Sequence, residues 1–172
     1  MKIIKTQYAA DKSLFRFFII AYLIPIVATA FALLIEGFPT DSVVTHVTPM
    51  VMVVIMAMVH APTIAAMIVT YKDEGFQGIK DLFRQLKYWK VEGKWYLYAL
   101  LIFPLSILVS LYLMSIYSAS YGPLFEFKIF IAASLLSALW EEIGWTGYAT
   151  PRILKQFSPL RSAILLGIIH TF

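Results

Sequence analysis

The sequence contains no cysteine, which excludes disulfides and thiolate metal sites and leaves the redox compartment open. Charge is scarce as well: 14% of the 172 residues are charged, while 60% are hydrophobic. Soluble domains carry about a quarter charged residues and about half apolar ones, so water is not the main solvent of this chain. Histidine numbers only three, and no His-Glu-x-x-His pair occurs, so the helical spacing that offers two imidazoles to zinc is missing. There is no internal repeat and no low-complexity tract. The formal charge of +4 comes from basic residues at the ends of apolar runs, where they orient a membrane protein; nucleic acid is not an expected partner.

What is present is a series of apolar runs, several exceeding the roughly 20 residues that a helix needs to cross the hydrocarbon of a bilayer. We expect an all-α, polytopic transmembrane bundle of about five spans, forming a single membrane domain over 1–172. The first span covers about Phe17 to Ile35, with Pro25 inside it, and is closed by Glu36-Gly37-Phe38-Pro39. Ala28-Thr29-Ala30 resembles a signal-peptidase site, but the apolar run continues beyond it, so an uncleaved anchor is the better reading. A second span covers about Val47 to Tyr71 and includes His60 and Pro62. The third runs from about Trp95 to Tyr117, the fourth from about Ile129 to Thr150, and a fifth begins near Leu160 and is still apolar at Phe172.

Alternating the loops gathers Lys2, Lys5, Lys12 and Arg16, the lysines and arginine of 72–94, and Arg152, Lys155 and Arg161 on one side. Only Lys128 is left for the other. By the positive-inside rule the N-terminus is expected to be cytoplasmic and the chain a multi-pass protein of the cell membrane, with the lipid bilayer as a partner. Within 72–94, Ile79, Leu82, Phe83, Leu86 and Trp89 recur at helical spacing between basic residues, which predicts a cytoplasmic amphipathic helix on the inner leaflet.

The fourth span holds two adjacent charges, Glu141 and Glu142. Glu141 lies roughly 20 Å along the helix from Lys128 and 16 Å from Arg152, too deep to reach either interface. An ionised carboxylate at that depth costs at least about 2.5 kcal/mol, and intramembrane acids default to a functional role. Neighbouring carboxyls in a poorly solvated site resist double ionisation, so one serves as base while the other is acid, an arrangement suited to activating water for hydrolysis. Ser134, Ser137, Glu141, Gly144 and Tyr148 share one helical stripe. Gly144 and Gly147 leave room for another backbone, either a neighbouring helix or a substrate chain.

The run Trp140-Glu141-Glu142-Ile143-Gly144-Trp145-Thr146-Gly147-Tyr148, followed by Pro151-Arg152 and a Phe157-Ser158-Pro159 turn into an apolar helix, resembles the first motif of the CPBP family of intramembrane peptidases, which includes CAAX prenyl endopeptidases and relatives linked to bacteriocin self-immunity. The resemblance covers roughly Phe130 to Phe172. It implies a hydrolase in which Glu141 activates the water that attacks a peptide bond and Glu142 supports it, with a peptide or membrane protein as substrate.

The sequence departs from that pattern twice. Thr146 stands where the motif commonly has arginine. His170 falls at the aromatic position of the second motif, whose histidine would come about two residues beyond Phe172, so a fragment is expected. His170 itself is a candidate catalytic group or metal ligand, or a histidine hydrogen-bonded to a glutamate. His60 is a candidate member of the same cluster or a helix-packing residue, and His46 lies in the outer loop. Zinc is chemically possible with Glu and His ligands, but adjacent glutamates point about 100° apart on a helix and would chelate one ion poorly, so no cofactor is expected. The rival readings are a non-catalytic peptide-binding immunity or sensor protein and a proton-coupled transporter; the transporter lacks the paired repeats common in that class.

Overall fold

The computed structural model describes residues 2–37, 48–118 and 129–171, with side chains placed over 12–37, 48–102, 104–118 and 136–170. Phe38, Pro39, His46, Val47, Lys128 and Phe172 lie outside the described residues, and Ser134 outside the placed side chains. The protein is all-α. Helices α1 (Lys2–Glu36), α2 (Pro49–Arg84), α3 (Gly93–Ser115), α4 (Ile129–Glu142), α5 (Thr150–Leu154) and α6 (Pro159–Thr171) follow in order, with a π-helical segment, Ile143–Ala149, joining α4 to α5 without a break. Three helical stretches, Lys12–Glu36, Pro49–Lys87 and Gly93–Ser115, are long and apolar enough to cross a membrane.

Each end of the first connection is capped. Gly37, at φ +76°, supplies the left-handed residue that stops α1 and donates its N–H to the Leu33 carbonyl at 2.9 Å. Thr48 then starts α2: its hydroxyl accepts from the Val51 N–H at 3.2 Å and donates to the Glu36 carboxylate at 2.7 Å, while Pro49 takes the first helical position.

The residues form two compact units, 1–85 with 133–172 and 86–132. The second contains α3, an apolar helix that carries Trp95 and Tyr98 edge to face at 6.0 Å near its start. The first contains the core. Phe17 and Ala21 of α1 pack with Ala65, Ala66 and Val69 of α2 and with Ile143, Trp145, Tyr148, Ala149 and Ile153 of the run from π segment to α5. The alanines let backbones approach closely, the device that drives helix association where lipid cancels the hydrophobic gain.

Helix α2 does not run straight. Gly75 takes φ +67°, ψ −159° in its middle, a conformation open to glycine alone, and the chain turns back on itself. The Trp140 ring shows how far: it lies 6.0 Å from the His60 ring and 6.0 Å from the Phe83 ring, whereas a continuous helix would separate residues 60 and 83 by about 34 Å. The apolar stripe predicted to rest on the inner leaflet is therefore divided. Leu82 is buried in the core and Phe83 packs on Trp140; Leu86 and Trp89 are exposed. Periodicity identified the stripe, but the reversal at Gly75 decides what part of it meets protein.

Candidate functional site

The site is built on the run from α4 to α5. Its hydrogen bonding widens immediately after the glutamates: the Thr150 N–H reaches back five residues to the Trp145 carbonyl, which also accepts from the Thr150 hydroxyl at 2.9 Å. Such π segments are uncommon and occur often at functional sites. The wider turn directs three consecutive residues, Ile143, Gly144 and Trp145, into the core. At Gly144 the α2 backbone comes close. A Cβ there would sit 2.5 Å from the Pro62 carbonyl oxygen and 2.6 Å from Pro62 Cβ, so this glycine serves helix packing and not a substrate chain. Gly147 is looser, with its nearest neighbours at 3.7 Å or more.

Of the three residues singled out as catalytic candidates, the structure brings two together. Glu141, its side chain 28% exposed, lies on the inner stripe, and its Oε1 is 3.5 Å from His170 Nε2 on α6. The same Oε1 accepts the indole N–H of Trp145 at 3.1 Å. The Trp145 ring stands 5.2 Å from the imidazole, so carboxylate, indole and imidazole are in mutual contact. Glu142 turns away: it is exposed, its carboxylate has no partner among the described residues, and its carbonyl accepts the Thr146 hydroxyl at 2.8 Å.

His60 does not join the pair. Its Nδ1–H donates to the Met56 carbonyl at 2.8 Å, one turn back on its own helix, and its ring packs on Trp140. Trp140 is fixed through its carbonyl, which accepts from the Thr63 hydroxyl, while its buried indole N–H has no partner among the described residues. A catalytic zinc takes three protein ligands. Glu141 and His170 offer two such groups, and among the described residues no group of three His, Asp or Glu converges.

A second polar cluster occupies the same helical run two turns further on. Ser13, 5% exposed, donates to Asp73 and receives the Tyr148 hydroxyl at 3.0 Å. Arg16 pairs with Asp73 at 3.5 Å, and Arg152 with Glu74 at 3.3 Å. The Arg152 guanidinium also lies 3.7 Å over the Tyr148 ring and donates to the Tyr148 carbonyl at 3.0 Å. Arg152 is thus committed to this second cluster.

Sequence reasoning overlooked Trp145 and Tyr22, the residues that hold the pair. Trp145 had a signal, since residues four apart on a helix meet. Tyr22 had none: its hydroxyl donates to the Ile169 carbonyl, 147 positions away. Comparison of the chain with family models, curated proteins and solved structures gives no match.

Proposed function

We propose that the protein is a multi-pass, intramembrane endopeptidase of the CPBP type, with its N-terminus cytoplasmic, in which Glu141 is the general base. The observation that carries this reading is the approach of His170 Nε2 to Glu141 Oε1, 3.5 Å apart on different helices, within a bundle whose other described carboxylates are near helix ends or exposed. Glu141 takes a proton from a water, the resulting hydroxide adds to a peptide carbonyl, and the proton passes to the departing amine as the C–N bond breaks. His170, in the tautomer that carries its proton on Nε2, would donate to the oxyanion that forms. Glu142, facing outward, adds charge near the site without contact to either group.

The test is cleavage of a fluorogenic peptide library by the full chain in detergent, with Glu141→Gln as the comparison. Cleavage lost in the variant, with the thermal midpoint unchanged, supports the reading; equal cleavage by both proteins refutes it. A second reading, a membrane protein that binds a peptide without cutting it, is favoured by one observation: Thr146 offers no charge, and its hydroxyl is already taken by the Glu142 carbonyl. Peptide retained intact by both proteins is its signature.

A further inference from the structure

Glu141 presents two oxygens in unlike settings. Oε1 accepts the Trp145 N–H at 3.1 Å and lies 3.5 Å from His170 Nε2, whereas Oε2 has no hydrogen-bond partner among the described residues. A carboxylate free to rotate would exchange these roles. This one is held by an indole that has little freedom of its own. Trp145 is 6% exposed, and its ring is packed by Phe17 at 5.6 Å, Phe18 at 6.3 Å and Tyr22 at 6.4 Å on the α1 side and by His170 at 5.2 Å on the other.

The direction of the bond is unambiguous. An indole nitrogen is a donor only, and a bond from it to an ionised oxygen is stronger than one between neutral groups. His170 is a poorer anchor: its side chain is half exposed, and its donor role depends on the tautomer. Tyr22 completes the arrangement by donating to the Ile169 carbonyl, which ties α1 to the backbone one residue before His170. One helix therefore steadies both partners of Glu141.

We infer that Trp145 is a positioning residue that pins Glu141 through Oε1 and leaves Oε2 as the oxygen that removes the proton from water. The catalytic half of this inference rests on the peptidase reading; the hydrogen bond does not. The experiment separates them. With ¹⁵N-labelled tryptophan in detergent micelles, the full chain gives indole resonances from its four tryptophans, and Trp145→Phe identifies the one in question. Glu141→Gln, which substitutes a weaker acceptor, is expected to move that resonance upfield and leave those of Trp89 and Trp95 in place. In the peptide-library assay, Trp145→Phe is expected to lower kcat roughly 10- to 100-fold, the scale of a misplaced catalytic group, with KM within about twofold.

Replacement of Trp145 by 3-benzothienylalanine keeps the ring and removes only the N–H, so it controls for packing. The same loss of kcat is expected. Wild-type kcat in that protein, or a Trp145 resonance indifferent to Glu141→Gln, overturns the inference even if Glu141 proves essential. Equal cleavage by wild type and Glu141→Gln instead removes the peptidase reading and the role of Oε2 with it, while the resonance still decides whether the pin exists.

Discussion

Two polar clusters lie on one face of the same helical run, and they are finished to different degrees. At the Tyr148 end the groups answer one another: Tyr148 bonds Ser13, Ser13 bonds Asp73, Asp73 pairs with Arg16, and Arg152 with Glu74. The chain of bonds joins α1, α2 and the π segment. At the Glu141 end there is one carboxylate, one half-exposed imidazole, and an oxygen without a hydrogen-bond partner among the described residues. The Glu141 side chain is 28% exposed, so its second oxygen avoids the cost of about 1–3 kcal/mol that a buried orphan carries. A cluster that closes its hydrogen bonds stabilises; one that leaves an oxygen open is the one on which the peptidase reading depends.

The sharpest way to break this comparison is Glu141→Gln. General-base chemistry contributes about 10²- to 10⁴-fold, so cleavage should fall by that factor, while the thermal midpoint in detergent stays close to wild type because the amide oxygen still accepts from Trp145. A midpoint that drops sharply with Glu141→Gln would make Glu141 part of the framework and erase the distinction. Next in size is Gly144→Ala. The added methyl meets the Pro62 backbone, which cannot swing aside as a side chain does, and overpacking of this kind costs about 1–3 kcal/mol. Denaturation followed by circular dichroism should show it, and a neutral result would mean that α2 and the π segment stand further apart than described.

Asp73→Asn addresses the closed cluster. It removes the counter-charge of Arg16, half exposed and worth little, but it also weakens the acceptor for the buried Ser13–Tyr148 pair, for a combined cost of about 1–2 kcal/mol. Peptide cleavage by the folded fraction should be unchanged. Loss of cleavage without loss of stability would show that the two clusters are not separate.

These expectations rest on features that differ in how visible they were in the sequence. The three long helices follow from hydropathy alone, because lipid demands about 20 apolar residues whatever their order. The reversal at Gly75 does not: a lone glycine inside a helical pattern fits a tolerated residue as well as a turn, and only the packing of Leu82 and Phe83 distinguishes them. Glu141, Glu142 and His170 stood out as polar groups in an apolar chain, but nothing in their spacing told which would meet. The π segment settles that by turning Gly144 and Trp145 together into the core, and hydrogen-bond register of this sort leaves no composition signature. Tyr22 was invisible for a simpler reason. Tyrosine at that position suits lipid, interface or core equally, and its partner is a backbone carbonyl.

Gly147→Ala should have a small effect beside Gly144→Ala. The same substitution three residues on meets neighbours only at 3.7 to 3.8 Å, ordinary contact distance, and alanine is the better helix former by up to about 1 kcal/mol. The midpoint should hold or rise slightly; a fall as large as that of Gly144→Ala would mean that both glycines are close-packing sites.

The smallest effect belongs to Glu142→Gln, and it sharpens the comparison most economically because it alters the residue next to Glu141 by the same chemical change. The two side chains leave the helix about 100° apart: one faces Trp145 and His170, the other is exposed with its carboxylate unpaired among the described residues. Removing an exposed charge alters stability within about 0.5 kcal/mol, and cleavage should change by no more than about threefold, since only a screened Coulomb interaction with Glu141 is lost. A kcat loss matching that of Glu141→Gln would mean that the two carboxyls share one proton during catalysis and that Glu142 turns inward when substrate binds. The open oxygen at Glu141 would then be the place that Glu142 comes to occupy.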